Sequence, residues 1–373
     1  MIAREDLIRE FLNRAGWSNA ARAPLAGDAS SRRYERLKGP RGKAILMDAP
    51  PGPDGPPLDT PQGARKAYSA IAHLAEDCRS FVAVGEALRR AHLSAPELYA
   101  HDIPNGLLLL EDLGDDLYGI AIDNSAGPRG ESLDDMYHVG VEALIAWHKA
   151  WEQMHAPATL PLPDGDIYKL FHFDDAALAI ETELLTDWYL PERRGAPTDE
   201  AMRNEYRALW KPLFAIANKD ARTLALRDYH SPNMLWLPER EAAARVGLLD
   251  YQDAIITSRA YDLVSFLQDA RRDVPESREQ VMLAHYCALA SRQLKNFNED
   301  IFRAAYAVLG AQRNAKIMGI FVRLNKRDGK PAYLAHLPRV SSYFARDLAH
   351  PALADLRNWL GKLGFSPAKG DKE

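Results

Sequence analysis

The spacing of apolar residues changes character once along this 373-residue chain, and that change limits the folds open to it. Up to about residue 110, helical stripes alternate with short strand-like runs, and beyond it helices dominate. Leu7, Ile8, Phe11 and Leu12 form one stripe of a helix over residues 4 to 15. Arg33 to Leu37 and Ala44 to Met47 read as a hairpin around the turn signal Lys38-Gly39-Pro40-Arg41-Gly42. Residues 49 to 57 are too rich in Pro and Gly for either regular state. A helix is predicted over Ser80 to His92, then strands at Pro96 to Ala100 and Leu107 to Leu110. The second strand is continuously apolar, as a strand covered on both faces should be. The expected class is α+β: a small N-terminal lobe with an antiparallel sheet over 1–110, and a large, mainly helical lobe over 111–366. In the second lobe helices are predicted over 136–155, 174–190, 200–218 and from Ala260 onward. Brief strands are predicted at 223–227, 234–237 and 246–250, and a flexible tail at 367–373.

Charge and composition exclude several classes. Lys plus Arg is 47 against 52 for Asp plus Glu, a net charge of −5, which argues against a nucleic-acid partner. No run approaches 18 uncharged apolar residues, so no membrane span is expected. The N-terminus, MIAREDLIREFLNRAG, lacks the apolar core of a signal peptide, and a cytoplasmic location is expected. Cys78 and Cys287 stand far apart without a partner motif and read as buried thiols in a reducing compartment. A monomer with a small-molecule partner is expected.

The densest chemical signal is Leu226-Arg227-Asp228-Tyr229-His230-Ser231-Pro232-Asn233-Met234-Leu235, followed by Leu248-Leu249-Asp250-Tyr251-Gln252-Asp253. Phosphoryl transfer needs one carboxylate to hold the acceptor hydroxyl and take its proton, and hard oxygen ligands to hold Mg²⁺ against phosphates. Asp228 suits the first role, and Asn233 and Asp250 suit the second. Singly, Asp228 and Asn233 also suit a turn and Asp250 a helix N-cap; the three together, in this order between short apolar runs, favour the chemistry. No Gly-x-x-x-x-Gly-Lys-Ser/Thr, Gly-x-Ser-x-Gly or Gly-x-Gly-x-x-Gly motif offers a rival site.

These motifs resemble those of the aminoglycoside-phosphotransferase-like kinases, which are related to protein kinases. Further segments extend the resemblance over nearly the whole chain: Gly27-Asp28-Ala29-Ser30-Ser31-Arg32-Arg33-Tyr34, Leu109-Leu110-Glu111-Asp112-Leu113-Gly114 and Tyr261-Asp262-Leu263-Val264-Ser265. Met47-Asp48-Ala49-Pro50-Pro51 and the 312–338 stretch resemble the branch that phosphorylates the anomeric hydroxyl of N-acetylmuramate and N-acetylglucosamine in cell-wall recycling. The resemblance implies a two-lobed protein-kinase-like fold with ATP and Mg²⁺ between the lobes. It implies Asp228 as base, Asn233 and Asp250 as metal ligands, and nucleotide contacts from Ser30, Ser31, Arg32, Arg33, Met47, Glu111, Asp112 and Leu113. It implies a sugar 1-phosphate for peptidoglycan recycling as the product.

The chain departs from protein kinases in two places. Leu226 replaces the His of His-Arg-Asp. The strand that should carry a phosphate-binding Lys reads Ala44-Ile45-Leu46-Met47-Asp48, with Lys43 too early, which leaves phosphate charge to Arg32 or Arg33, to Mg²⁺ and to backbone, and Glu86 without an obvious ion-pair partner. Residues 303–330 hold Arg303, Arg313, Lys316, Arg323, Lys326, Arg327 and Lys330 against Asp328, a basic run that suits an acceptor bearing a carboxylate or, alternatively, a solvated helix face. Acceptor candidates are Asp48, Glu181, His230 and Arg271, with Trp188 and Tyr189 as a stacking face or as core. The rival readings are a kinase for another hydroxyl, such as an aminoglycoside or choline, and a non-catalytic nucleotide-binding regulator.

Overall fold

A computed structural model describes residues 3–25, 32–53, 57–59 and 65–365 of the chain. The expected phosphate-covering residues Gly27 to Ser31, including Ser30 and Ser31, and the tail 367–373 lie outside them.

Helix α1 (Arg4–Arg14) buries Ile8, Phe11 and Leu12, the stripe its sequence spacing sets up. It covers one face of a five-stranded antiparallel sheet built from β1 (Ala21–Pro24), β2 (Arg33–Gly39), β3 (Gly42–Asp48), β6 (Leu98–Asp102) and β7 (Leu107–Glu111), in the order β1-β2-β3-β7-β6. Gly42 has φ 102 at the end of the tight β2–β3 turn, a conformation that disfavours any side chain. Between β3 and β6 come a small pair, β4 (Pro57–Asp59) with β5 (Arg65–Ala67), and the helices α2 (Tyr68–Ala72) and α3 (Arg79–Arg90).

The pleat of β3 sorts its side chains. Ala44 and Leu46 join Leu107, Leu109 and the α1 residues in one cluster, while Met47 joins Leu108, Leu110 and the α3 residues Phe81, Val84 and Leu88 in the main core. Asp48 therefore shares the α1 face with Ala44 and Leu46.

The remainder is largely helical: α4 (Tyr118–Asn124), α5 (Leu133–Gln153), α6 (Asp175–Leu184), α7 (Leu190–Arg194), α8 (Glu200–Ala217), α9 (Ala260–Leu267), α10 (Glu276–Gln293), α11 (Glu299–Asp328), α12 (Leu337–Leu348) and α13 (Ala354–Lys362). The single helix expected over 174–190 is interrupted by a π-turn at Leu185–Tyr189. A short hairpin, β8 (Thr159–Pro161) with β9 (Ile167–Lys169), follows α5. Helix α11 is the 30-residue spine of this part and packs against α6, α8, α9 and α12. Four short strands interrupt the helices: β10 (Arg222–Ala225) pairs with β13 (Ile255–Ser258), and β11 (Met234–Trp236) with β12 (Val246–Leu248). Among the described residues no helix is long and apolar enough to cross a membrane.

Candidate functional site

The loop between β10 and β11 carries Asp228 and Asn233, and the turn after β12 carries Asp250. The antiparallel register Met234↔Leu248 puts the residues just outside it side by side, and Leu249 N–H donates to the Asn233 carbonyl at 2.9 Å. A three-residue ladder thus brings Asn233 beside Leu249, one residue before Asp250.

The loop backbone is fixed from below. Asp262, fully buried at the start of α9, accepts from Leu226 N–H at 2.6 Å and Arg227 N–H at 2.9 Å, one carboxylate oxygen each. Asp269 accepts from the backbone N–H and the hydroxyl of Ser231. Arg227 sits in the left-handed region at φ 73. Its buried guanidinium donates to the Ala72 carbonyl at 2.9 Å, pairs with Glu181 and lies over the Phe173 ring. A non-glycine φ of this sign persists only where its surroundings over-determine it, as they do here.

Asn233 donates through Nδ2 to the Asp228 carbonyl oxygen at 3.1 Å and to Asp250 Oδ2 at 3.4 Å. Asp250, itself at φ 56, also receives Gln252 Nε2 at 2.9 Å and faces Arg32 Nη2 at 3.2 Å, both on Oδ1. Beneath it Tyr251 stacks on Phe81 of α3, with ring centroids 4.7 Å apart, and its hydroxyl fills the space over Gly85. Asp228, Asn233 and Asp250 line one cavity of about 620 Å³ together with His230, Arg271 and Arg313. Burial opposes ionisation of Asp228, but the fields of His230, Lys316, Arg313 and Arg227 outweigh it and hold the carboxyl below the usual carboxylate range. Burial, ahead of any neighbour, lowers the His230 pKa, and Arg271 Nη1 stands 3.2 Å from its Nε2.

The opposite wall is a stripe of α11. Arg313, Lys316, Ile317, Ile320, Phe321 and Leu324 recur at helical spacing along it, and Arg323, Arg327 and Lys330 widen its basic end. The basic run is therefore largely a cavity wall rather than a solvated face. Arg303 and Lys326 are its exceptions, paired with Glu299 and Glu192. Aromatic surface comes from Tyr68, Phe321 and Tyr333, which the sequence reading did not single out.

Several other expected residues make contacts of their own. Asp48 is on the α1 face of the sheet, held by Arg4 at 2.9 Å and by Arg33 at 3.0 Å, so neither Asp48 nor Arg33 enters the cavity. Glu181 is at the cavity floor, 1% exposed, with its oxygens taken by Arg227, by Lys316 at 3.2 Å and by Gln312 at 2.9 Å, so it braces Arg227 rather than offering a free carboxylate. Trp188 and Tyr189 pack into the helical core. Met47 is buried toward α3. Glu111 receives Arg240 at 2.6 Å, Asp112 pairs with Arg36 at 2.8 Å, and Leu113 lies against Gly247, all three beyond the Asp228 cavity. Glu86 has partners after all, Arg89 and Arg90 on its own helix.

Asn233 and Asp250 offer the hard oxygen donors that suit Mg²⁺, and the Asn233 side-chain oxygen makes no hydrogen bond among the described residues. No group of three or more His, Cys, Asp or Glu side chains among those residues could hold a metal by itself.

Residues 22–297 match the phosphotransferase enzyme family. The chain belongs to that family. Two relatives, from Caulobacter vibrioides and Pseudomonas aeruginosa, are both named N-acetylmuramate/N-acetylglucosamine kinase. The first is 39% identical over 96% of this chain and 96% of its own length, the second 31% identical over 96% and 94%. A solved ternary complex of streptomycin, ATP and the phosphotransferase APH(2″)-IIa shares the fold at TM-score 0.51, with 12% identity over 92% of this chain and 99% of that one. Within the phosphotransferase family framework, the sheet, the loop between β10 and β11 and the α11 wall form the protein-kinase-like architecture expected from the sequence.

Proposed function

We propose that the chain transfers the γ-phosphoryl group of ATP to the anomeric hydroxyl of an amino sugar, N-acetylmuramate or N-acetylglucosamine, giving the sugar 1-phosphate. The observation that carries this reading is the meeting of Asp228, Asn233 and Asp250 on one wall of a cavity whose other wall is cationic. The names and near full-length coverage of the two relatives support the acceptor.

Asp228 holds the acceptor hydroxyl and takes its proton as the sugar oxygen–phosphorus bond forms and the bond to the β-phosphate oxygen breaks, releasing ADP. An ionised carboxylate is ready for that proton at neutral pH, and the cations around Asp228 keep it so. Asn233, through its amide oxygen, and Asp250 are the residues for Mg²⁺. When bound, the ion neutralises charge on the phosphates. Gln252 and Arg32 fix the Asp250 carboxylate in place. With little covalent chemistry to perform, positioning and charge neutralisation supply most of the acceleration.

The test is incubation with ATP, Mg²⁺ and a panel of amino sugars, aminoglycosides and choline, with the site of phosphorylation read by phosphorus NMR and by the acid lability of an anomeric phosphate. Sugar 1-phosphate from either amino sugar is expected. Turnover confined to amines, or phosphorylation at another hydroxyl, would overturn the reading.

A further inference from the structure

Arg313 lies on the cavity wall of α11, 4% exposed. Its direction is set by its neighbours on the helix. Gln312 donates to Glu181 at 2.9 Å, and Asn314 donates to Gln268 at 2.7 Å and to Asp347 at 2.9 Å. These buried bonds, on residues flanking Arg313, fix the rotation of α11 about its axis.

The Arg313 guanidinium has no acceptor among the described residues, and its Nη1 is sealed from solvent. The neighbouring cations Lys316 and Arg227, and Arg32 beside Asp250, differ. Lys316 is held by Glu181 and Tyr261, Arg227 by Glu181 and Ala72, and Arg32 by Asp250. A buried cation without an anion is costly, and its natural complement is a planar carboxylate, which a guanidinium binds in a bidentate manner. Arg313 lines the cavity with Asp228, His230 and Arg271, whereas Arg32 pairs with Asp250 and does not line it. The unmet charge is thus on the acceptor side of the base.

We propose that Arg313 anchors the carboxylate of the acceptor, so that it selects the lactyl-bearing sugar N-acetylmuramate over N-acetylglucosamine, which has no carboxylate. This rests on the amino-sugar reading above and adds the residue that separates its two acceptors. Arg313 is a specificity-determining residue; proton removal stays with Asp228.

The experiment compares kcat and KM for both sugars in the wild-type chain and in Arg313→Gln and Arg313→Lys. Losing a charge-assisted bidentate contact corresponds to roughly a 10- to 100-fold change. Arg313→Gln is expected to lower kcat/KM for N-acetylmuramate by that factor relative to kcat/KM for N-acetylglucosamine, over and above any loss common to both sugars from removing a cation near Asp228. Arg313→Lys should recover part of the loss. Equal losses on the two sugars would assign Arg313 to the phosphoryl group or to folding, and no loss on either would leave it idle; each overturns the proposal. A second measurement needs no variant: the wild-type chain should use the carboxamide of N-acetylmuramate roughly 10- to 100-fold less efficiently than the acid. Comparable use of acid and amide overturns the proposal even if Arg313→Gln fails to fold. Turnover of N-acetylglucosamine by the wild type reports the amino-sugar reading separately, and absence of turnover on both sugars would overturn both.

Discussion

Arg32 Nη2 stands 3.2 Å from Asp250 Oδ1, so an ion pair joins the segment ahead of β2 to the turn after β12. Burial disfavours the charged guanidinium, but Asp250 and other acidic neighbours more than restore it and raise the Arg32 pKa. Under the proposed reading, phosphates held at Asp250 would meet this guanidinium. Arg32→Gln is expected to raise KM for ATP about tenfold, leaving KM for the sugar within about threefold, since a partly exposed charged contact lies at the low end of the 1.5–3 kcal/mol range. Steady-state kinetics with each substrate varied in turn checks this, and an unchanged KM for ATP would remove Arg32 from the phosphate site.

Asp228→Asn is expected to lower kcat by about a thousandfold or more, with the dissociation constant for ATP within about threefold, because the amide keeps the shape but cannot take a proton. In the wild type the Asp228 carboxyl is held below the usual carboxylate range, so activity depending on it is full above about pH 5 and falls only on acidification beyond that. A rate profile and calorimetric ATP titration test both statements. An acid limb near neutrality would assign the base to another group.

Asp262→Ala should destabilise the chain by about 2–5 kcal/mol, because it strands the buried N–H groups of Leu226 and Arg227. Chemical denaturation measures the loss. A change under about 1 kcal/mol would mean that water replaces the carboxylate.

A methyl group at Gly85 would stand 2.5 Å from the Tyr251 hydroxyl. Gly85→Ala is therefore expected to cost about 1–3 kcal/mol through overpacking. Tyr251→Phe should recover part of it, since the removed hydroxyl has no hydrogen-bond partner among the described residues. A double-mutant cycle reads the coupling directly, and strict additivity would contradict the contact.

His148 is buried on α5, with Nδ1 2.8 Å from the Tyr286 hydroxyl. Burial, helped by Arg259, lowers its pKa to about 3. The unfolded chain takes up this proton near pH 6.5 and the folded chain does not, so stability is constant above that pH and declines as pH falls toward 3. At about pH 5.5 the expected loss from this group is roughly 1.4 kcal/mol relative to pH 8. Denaturation at the two values checks it, with His148→Asn expected to flatten the slope.

Elements with a strong repeating pattern were legible in the sequence. The spacing of Ile8, Phe11 and Leu12 gave α1, and the continuous run Leu107 to Leu110 gave a strand covered on both faces. β1 was missed because Ala21–Pro24 is an edge strand that pairs through its backbone and buries little. β8 and β9 are three residues each, too short for a period to show. The Asp228, Asn233 and Asp250 constellation was readable because its members sit in two motifs of fixed spacing, and β11–β12 pairing does the rest. Glu181 misled for the opposite reason. Its partners lie 46 and 135 residues away at Arg227 and Lys316, and nothing local separates a buried brace from a surface acid. Asp48 misled because an apolar run ending in one acid does not reveal which parity of the strand faces which neighbour.

That parity has an outcome for what the strand can become. A lysine at position 47 would thrust an ammonium into the apolar cluster holding Phe81, Val84 and Leu88, while one at 48 would confront Arg4 and Arg33 with a third positive charge. Either single change therefore carries a local cost, a buried charge in the first case and the lost Arg4 and Arg33 pairs in the second, so a lysine on this strand requires its filling to be rebuilt as well.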